Sequence, residues 1–127
     1  MEVALDTNAV SDFAAGSASL GGVLMPFRGL ALPATVLGEY RYGLLGSSQK
    51  ARLSVWLAEL LGEVRVLETR ESTTAVYARV RQQLRAAGTP IPENDVWIAA
   101  SAIEHDLPLA SKDKHFRLVK GLEVLGW

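Results

Sequence analysis

Short apolar segments alternate with segments of helical pattern along all 127 residues of the chain. Such alternation is typical of βα units and predicts an α/β fold with a central, mostly parallel sheet flanked by helices. In a parallel sheet, functional groups collect beyond the carboxyl ends of the strands. The candidate strands are Val3–Leu5, Leu30–Leu32, Val64–Leu67, "LPLAS" (107–111) and "LEVLGW" (122–127).

Helical periodicity accounts for most of the remaining sequence. "DTNAVSDFAAG" opens a short helix, Thr35 is expected to cap the next one, and a further helix starts close to Asp95. Gly16–Gly22 and Leu45–Gln49 are rich in Gly and Ser and are interpreted as loops. The other predicted helices are Gln49–Leu61, Glu71–Ala87 and a short basic one from Lys112 to Leu118.

Composition limits the class of protein. A chain of this length forms one domain in the usual case, so residues 1–127 are expected to share one core. The net charge of −1 gives no overall basic field that would indicate a nucleic-acid partner. The absence of cysteine excludes disulfides and thiolate metal sites. The sequence shows neither a signal peptide nor an apolar run long enough to cross a bilayer, and a soluble cytoplasmic protein is expected.

Four acidic residues occupy unusual positions in this pattern. Asp6 directly follows the first strand and Asp113 comes shortly after the fourth. Glu39 lies at the edge of the apolar face of its helix, and Asp95 lies in a first helical turn. Asp95 also shares its helix face with Ile98, Ala99 and Ala102, the face expected to meet the core.

Each acid alone has an ordinary structural explanation, such as a helix cap or a solvated first-turn carboxylate. Together, all four can converge at one end of a parallel sheet. Two unit charges about 5 Å apart repel by about 3 kcal/mol at an effective dielectric near 20. Such a cluster takes up protons or binds a cation, and all-oxygen ligation suits Mg²⁺ or Mn²⁺.

The motifs that carry these acids resemble those of the PIN domain, specifically the VapC-type toxins of toxin–antitoxin pairs. The motifs are "LDTN" (5–8), "VLGEYRYG" (36–43), "PIPENDVWIAASAIEHDLPLAS" (90–111) and "KDKHF" (112–116), in this order. The similarity extends over essentially the whole chain and implies a single PIN-like three-layer α/β sandwich. One difference is that Ser111 stands where the family usually has Thr, which keeps the hydroxyl.

The resemblance also implies a chemistry for the site. It identifies Asp6, Glu39, Asp95 and Asp113 as the catalytic and metal-binding acids, with Thr7, Asn8 and Ser111 lining the pocket. The expected activity is endoribonuclease cleavage of RNA phosphodiester bonds with Mg²⁺ or Mn²⁺ and an activated water. Asp6 and Asp95 would contact the ion directly, and Glu39 and Asp113 through water or a second ion. A small antitoxin protein and a homodimer are the expected partners.

Basic residues cluster near the fourth acid. Lys112, Lys114 and Arg117 are candidate contacts to RNA phosphates, although a solvated basic face explains them equally well. His105 and His115 have no persuasive catalytic partner in the sequence and are interpreted as structural or surface residues. The apolar helices after the second strand form a candidate partner groove, whose residues are Tyr40, Tyr42, Leu44, Leu45, Trp56, Leu57 and Leu60.

Two other functions compete with the nuclease. An aspartyl-nucleophile phosphatase needs a second acid two residues after the first, where this chain has Asn8, and a receiver-type phospho-acceptor site needs adjacent acids near the first strand. A non-catalytic PIN-like module that binds RNA or protein is the remaining alternative, and the presence of all four acids argues against it.

Overall fold

A computed structural model describes residues Met1–Trp127 and contains one five-stranded sheet in the order β3-β2-β1-β4-β5. All four neighbouring strand pairs are parallel, which confirms the predicted sheet. The strands are β1 (Glu2–Leu5), β2 (Gly29–Pro33), β3 (Arg65–Leu67), β4 (Leu109–Ala110) and β5 (Val124–Leu125).

Six α-helices flank this sheet, and a 3₁₀ helix, Lys114–Leu118, follows β4. None of the six combines the length and apolar character that a bilayer crossing requires. The helices are α1 (Thr7–Ala14), α2 (Ala18–Leu24), α3 (Ala34–Leu45), α4 (Lys50–Leu61), α5 (Glu71–Ala86) and α6 (Glu93–Glu104).

A single cluster of 25 buried hydrophobic residues forms the core. β1 lies at its centre, where Val3, Ala4 and Leu5 are all fully buried. A strand in the middle of a parallel sheet is covered on both faces, and for this reason β1 is continuously apolar rather than alternating. On α6, Ile98, Ala99 and Ala102 are likewise fully buried, as the periodicity predicted.

The interpretation of Gly16–Gly22 as a loop was wrong, because α2 begins inside it. The Ser17 side chain accepts a hydrogen bond from the Leu20 backbone N–H at 3.2 Å and so caps the helix. Leu20 and Leu24 are buried in the core. Their burial outweighs the low helix propensity of Gly21 and Gly22, which pattern reading alone could not weigh.

Smaller differences concern the ends of elements. Pro33 occupies the N-cap position of α3, so Thr35 lies in the first turn rather than at the cap. The last two strands are shorter than predicted, and the helix expected to begin at Lys112 is a 3₁₀ helix that begins at Lys114. The long helix α5 matches its prediction to within one residue.

Candidate active site

The sheet topology brings the first and fourth acids together. β1 and β4 are neighbours, with Leu5 paired to Ala110. Asp6 follows β1 and Asp113 lies three residues beyond β4, so both lie at the carboxyl edge of the sheet. β2 lies on one side of β1 and β4 lies on the other, so the strand order changes direction at β1. The carboxyl end of β1 is therefore a topological switch point.

Asp6 is the most buried of the acids, with an exposed fraction of 4%. Its Oδ2 accepts hydrogen bonds from Ser111 Oγ at 2.7 Å and from Asn8 Nδ2 at 2.9 Å. Asn8 in turn accepts a bond from the Lys112 backbone N–H at 3.1 Å. The side chain of Asp6 stands at the N-cap of α1 but makes no cap bond, so the ordinary helix-cap explanation does not account for it.

Ser111 connects Asp6 to the other acids. Its hydroxyl oxygen accepts a hydrogen bond from the Asp113 backbone N–H at 2.9 Å while the hydroxyl donates to Asp6. Asp113 Oδ1 caps the 3₁₀ helix by accepting from the His115 backbone N–H at 2.9 Å. The imidazole Nδ1 of His115 lies 3.1 Å from Asp113 Oδ1 and 3.1 Å from Asp95 Oδ2. One imidazole therefore bridges the third and fourth acids.

Glu39 joins the site from α3 through two polar side chains. Its Oε1 accepts a hydrogen bond from Thr7 Oγ1 at 2.7 Å, and its Oε2 accepts one from Asn94 Nδ2 at 3.3 Å. Thr7 is next to Asp6 and Asn94 is next to Asp95. The four acids thus belong to one connected set of contacts, although they come from four separate parts of the sequence.

Two carboxyl groups of this site have perturbed acidities. The pKa of Asp95 is raised from 3.8 to about 6, chiefly by burial and also by the charges of Asp113 and Asp6, while the hydrogen bond and charge of His115 act to lower it. Burial also raises the pKa of Asp6, to which the charges of Glu39 and Asp113 contribute, while the Ser111 hydrogen bond lowers it. At both aspartates, burial and the neighbouring carboxylates together outweigh the contacts that stabilise the ionised form.

The donor set fits a divalent cation. Ligand atoms of Asp95, Asp113 and His115 lie within 4.8 Å of one another. Carboxylate oxygens suit Mg²⁺ and Mn²⁺, and an imidazole nitrogen is compatible with Mn²⁺. Asp6 and Glu39 lie outside this tightest group and reach it through Ser111, Thr7 and Asn94.

Two residues near the acids were missed by sequence reasoning. His115 was interpreted as a structural or surface residue, yet its ring bridges two of the acids. The available signal was its position two residues after the fourth acid. Asp113 is the N-cap of the 3₁₀ helix, and His115 lies in the first turn of that helix, close to the cap. Asn94 was not identified as a site residue, yet its side-chain amide donates a hydrogen bond to Glu39.

The three basic residues near the fourth acid differ in whether they form ion pairs within the protein. Lys112 Nζ forms an ion pair with Asp12 at 2.6 Å and lies 5.2 Å from the centre of the Trp127 ring. Lys114 and Arg117 are exposed and form no ion pair. These two are free to contact an anionic ligand, while a contact to Lys112 would compete with Asp12.

Known proteins share both the sequence pattern and the fold. The PIN domain family model matches residues 3–122. Ribonuclease VapC4 of Mycobacterium tuberculosis is 32% identical over 93 residues, which cover 70% of each chain. Ribonuclease VapC5 of the same organism is 30% identical over 104 residues, covering 80% of this chain and 76% of that protein.

A solved structure of similar fold has been described as VapBC2 from Rickettsia felis bound to a DNA fragment from their promoter. Its matching chain superposes with a TM-score of 0.87 at 26% identity, with 100% of this chain and 99% of that chain covered. The agreement over the full length of both chains confirms the expected three-layer α/β architecture.

Proposed function

This chain belongs to the PIN domain family, and from that premise we propose that it is a metal-dependent endoribonuclease, the toxin of a toxin–antitoxin pair. The similar Mycobacterium proteins are named as ribonucleases of the VapC type, which supports the substrate class. We also propose that residues 1–127 form a single PIN domain, because one core cluster includes residues from Val3 to Val119.

The observation that carries the proposal is the connected set of four acids at the carboxyl edge of the sheet. Mutual repulsion of these carboxylates is unfavourable unless a cation or protons offset it. When bound, a divalent cation supplies charge against the phosphate and activates water for hydrolysis. Mg²⁺ and Mn²⁺ are the ions that this donor set favours.

The chain's own residues hold and orient the reacting groups. Asp95 and Asp113 would bind the cation directly, in place of the expected pair Asp6 and Asp95, because their ligand atoms lie within 4.8 Å of each other and of His115. Asp6 is held by Ser111 and Asn8. Glu39, held by Thr7 and Asn94, would orient the attacking water or accept its proton. Lys114 and Arg117 are exposed beyond the fourth acid and would contact neighbouring RNA phosphates.

The test is cleavage of a structured RNA by the purified chain with Mg²⁺, with Mn²⁺ and with EDTA. Asp95→Asn should abolish cleavage because it removes a ligand charge without changing the size of the side chain. The matched control is Asp106→Asn. Asp106 is exposed, lies at the opposite edge of the sheet before β4, and has a φ of 55°, a conformation that Asn accepts readily.

Three outcomes would decide the matter. Cleavage that requires the metal and is lost only in Asp95→Asn supports the proposal. Cleavage that persists in EDTA or in Asp95→Asn contradicts the metal mechanism. Absence of cleavage for every RNA tested favours the alternative, a PIN-like module that binds RNA or protein without catalysis.

The antitoxin would contact the surface of α3 and α4. Of the predicted groove residues, Tyr40, Leu44, Leu57 and Leu60 are part of the core, whereas Tyr42 and Leu45 are 80% and 69% exposed. Large exposed apolar side chains on adjacent turns are typical of a surface that another protein covers. A Tyr42→Ala/Leu45→Ala variant should fold and lose the co-purifying antitoxin, and retained binding would exclude this surface.

The homodimer stays a prediction that light scattering can test.

A further inference from the structure

A pocket of about 360 Å³ opens between α1, α3 and the start of α4, directly beside the acids. Thr7 and Glu39, which are bonded to each other in the active site, form part of its wall. The wall continues to Ala15, eight residues after Thr7, and to Ser47, eight residues after Glu39. At a rise of 1.5 Å per residue, the pocket extends about 12 Å from the acidic site.

Gly43 leaves the floor of this pocket open. A Cβ built on Gly43 would meet no atom within 4 Å, so neither packing nor a close backbone approach requires glycine there. Glycine inside a helix is unfavourable relative to almost any other residue. Ala14 and Ala15 face the same space from α1. Small residues on both sides of the pocket therefore keep a partly apolar slot open next to Glu39.

Several polar groups that line the slot make few or no hydrogen bonds within the protein. The hydroxyls of Ser11 and Tyr40 make no hydrogen bond to another residue, and Arg52 forms no ion pair. Arg52 contacts only the Gln49 side chain, and both line the end of the pocket away from Thr7. Apolar walls with a few convergent donors and acceptors are typical of a site for a small planar ligand.

We propose that this pocket binds one nucleotide of the RNA substrate, with its phosphate towards the acids and its base between Gly43 and Ala15. The inference rests on the proposed nuclease function and adds a site that selects the base beside the scissile bond. Proteins recognise single-stranded RNA by stacking against the base faces, for which an Arg guanidinium plane is one platform, and by hydrogen bonds to the base edges. Ser11, Tyr40 and Gln49 would supply the edge contacts, and the Arg52 guanidinium would stack on the base or donate to a base oxygen.

A helix of a partner protein is the competing occupant of the same space. The more apolar lining lies on the other side of α3, where six of nine lining residues are hydrophobic against five of twelve here. That side also carries the exposed Tyr42 and Leu45. The polar rim and the direct continuity with Glu39 favour a nucleotide in the pocket beside the acids.

The test fills the slot without touching the acids. Gly43→Leu is compared with Gly38→Leu, which lies in the same helix, is exposed, has equally open space for a Cβ and does not line the pocket. Neither variant should melt below the wild type, because leucine favours the helix over glycine. Binding of 5′-AMP, CMP, GMP and UMP, which contain no phosphodiester bond to cleave, is measured by NMR titration with Mg²⁺ present to offset the charge of the acids. The base preference at the cut site is measured with Mn²⁺ and short RNAs.

We expect at least one nucleotide to bind the wild type and Gly38→Leu, and Gly43→Leu to weaken that binding by roughly tenfold or more. Gly43→Leu should also lose efficiency and base preference in RNA cleavage. Arg52→Gln should weaken nucleotide binding more than Lys50→Gln, which removes the same charge from α4 outside the pocket.

The inference and the nuclease proposal fail in different ways. Equal nucleotide binding and equal cleavage by Gly43→Leu and Gly38→Leu, or no binding of any of the four nucleotides, overturns the pocket assignment even if the wild type cuts RNA. Loss of antitoxin binding alone in Gly43→Leu also overturns it, in favour of a protein groove. Nucleotide binding that Gly43→Leu abolishes, in a chain that cuts no RNA, retains the pocket and refutes the nuclease.

Discussion

Asp95→Asn should make the metal-free protein more stable while removing its activity. The rise of the Asp95 pKa from 3.8 to about 6 means that ionised Asp95 is unfavourable in the folded state. A rise of that size corresponds to about 3 kcal/mol at neutral pH. The pocket is half open, and screening by solvent reduces the figure to about 2 kcal/mol. Asparagine keeps a side-chain oxygen that accepts a hydrogen bond from His115, so the contact between the His115 ring and residue 95 of α6 is retained.

The sign of this effect depends on pH. Because the folded state holds the Asp95 proton more tightly than the unfolded chain, the wild-type free energy of unfolding falls as pH rises from about 4 to about 6. Asn does not titrate and lacks this decrease. At pH 8 in EDTA, the variant should therefore melt roughly 6–10 °C above the wild type, and below pH 4 the difference should vanish.

Thermal and urea denaturation at pH 3.5, 5 and 8 in EDTA measure the effect, with Asp106→Asn as the matched control. Adding Mn²⁺ should stabilise the wild type and leave Asp95→Asn nearly unchanged, because only the wild type keeps the ligand charge. If Asp95→Asn melts below the wild type at pH 8 in EDTA, ionised Asp95 gains more from its hydrogen bond than it loses through burial and repulsion, which contradicts this prediction.

Three further substitutions test other parts of the structure. Ser111→Ala removes the hydroxyl that bonds to Asp6 at 2.7 Å and should cost about 1–3 kcal/mol in urea denaturation, whereas Ser111→Thr should keep the activity of the wild type. His115→Ala should weaken Mn²⁺ binding, measured by calorimetry, by roughly 10- to 100-fold, and His115→Asn, which retains a donor near Asp113, should recover part of it. Leu20→Ala should destabilise the protein by about 2–5 kcal/mol in urea denaturation because Leu20 is fully buried, and a cost near zero would mean that α2 is not part of the core.

Strong periodicity made the fold largely predictable from the sequence. Val76, Val80 and Leu84 repeat every four residues and are buried on α5, and the three apolar residues of β1 identify the central strand. The failure at α2 has the opposite cause: its helix depends on the Ser17 cap and on the burial of two leucines against distant elements. The burial of Leu20 and Leu24 against distant elements cannot be deduced from the sequence of residues 16–22 alone.

The candidate site was predictable for a different reason. Asp6 and Asp113 each come after a predicted strand. Because the carboxyl ends of parallel strands lie at the same edge of a sheet, both residues could be assigned to that edge without knowing the strand order. Their side-chain partners were not predictable in the same way. The bridge from His115 to Asp95 spans 20 residues and depends on the angle at which the 3₁₀ helix meets α6.

The strand order explains why four acids that are distant in sequence meet at this one place. β2 leaves β1 on one side and β4 joins it on the other, so α1 and the 3₁₀ helix begin on either side of a crevice that no crossover covers. Asp6 and Asp113 lie at that crevice because each directly precedes one of these helices. α3 and α6 follow the same edge and bring Glu39 and Asp95 to it. A substitution that only weakens one acid should therefore leave the fold intact, since the convergence comes from the sheet and not from the acids. The stability gain expected for Asp95→Asn has the same origin, because the fold buries Asp95 and holds it near the other carboxylates at a cost in stability.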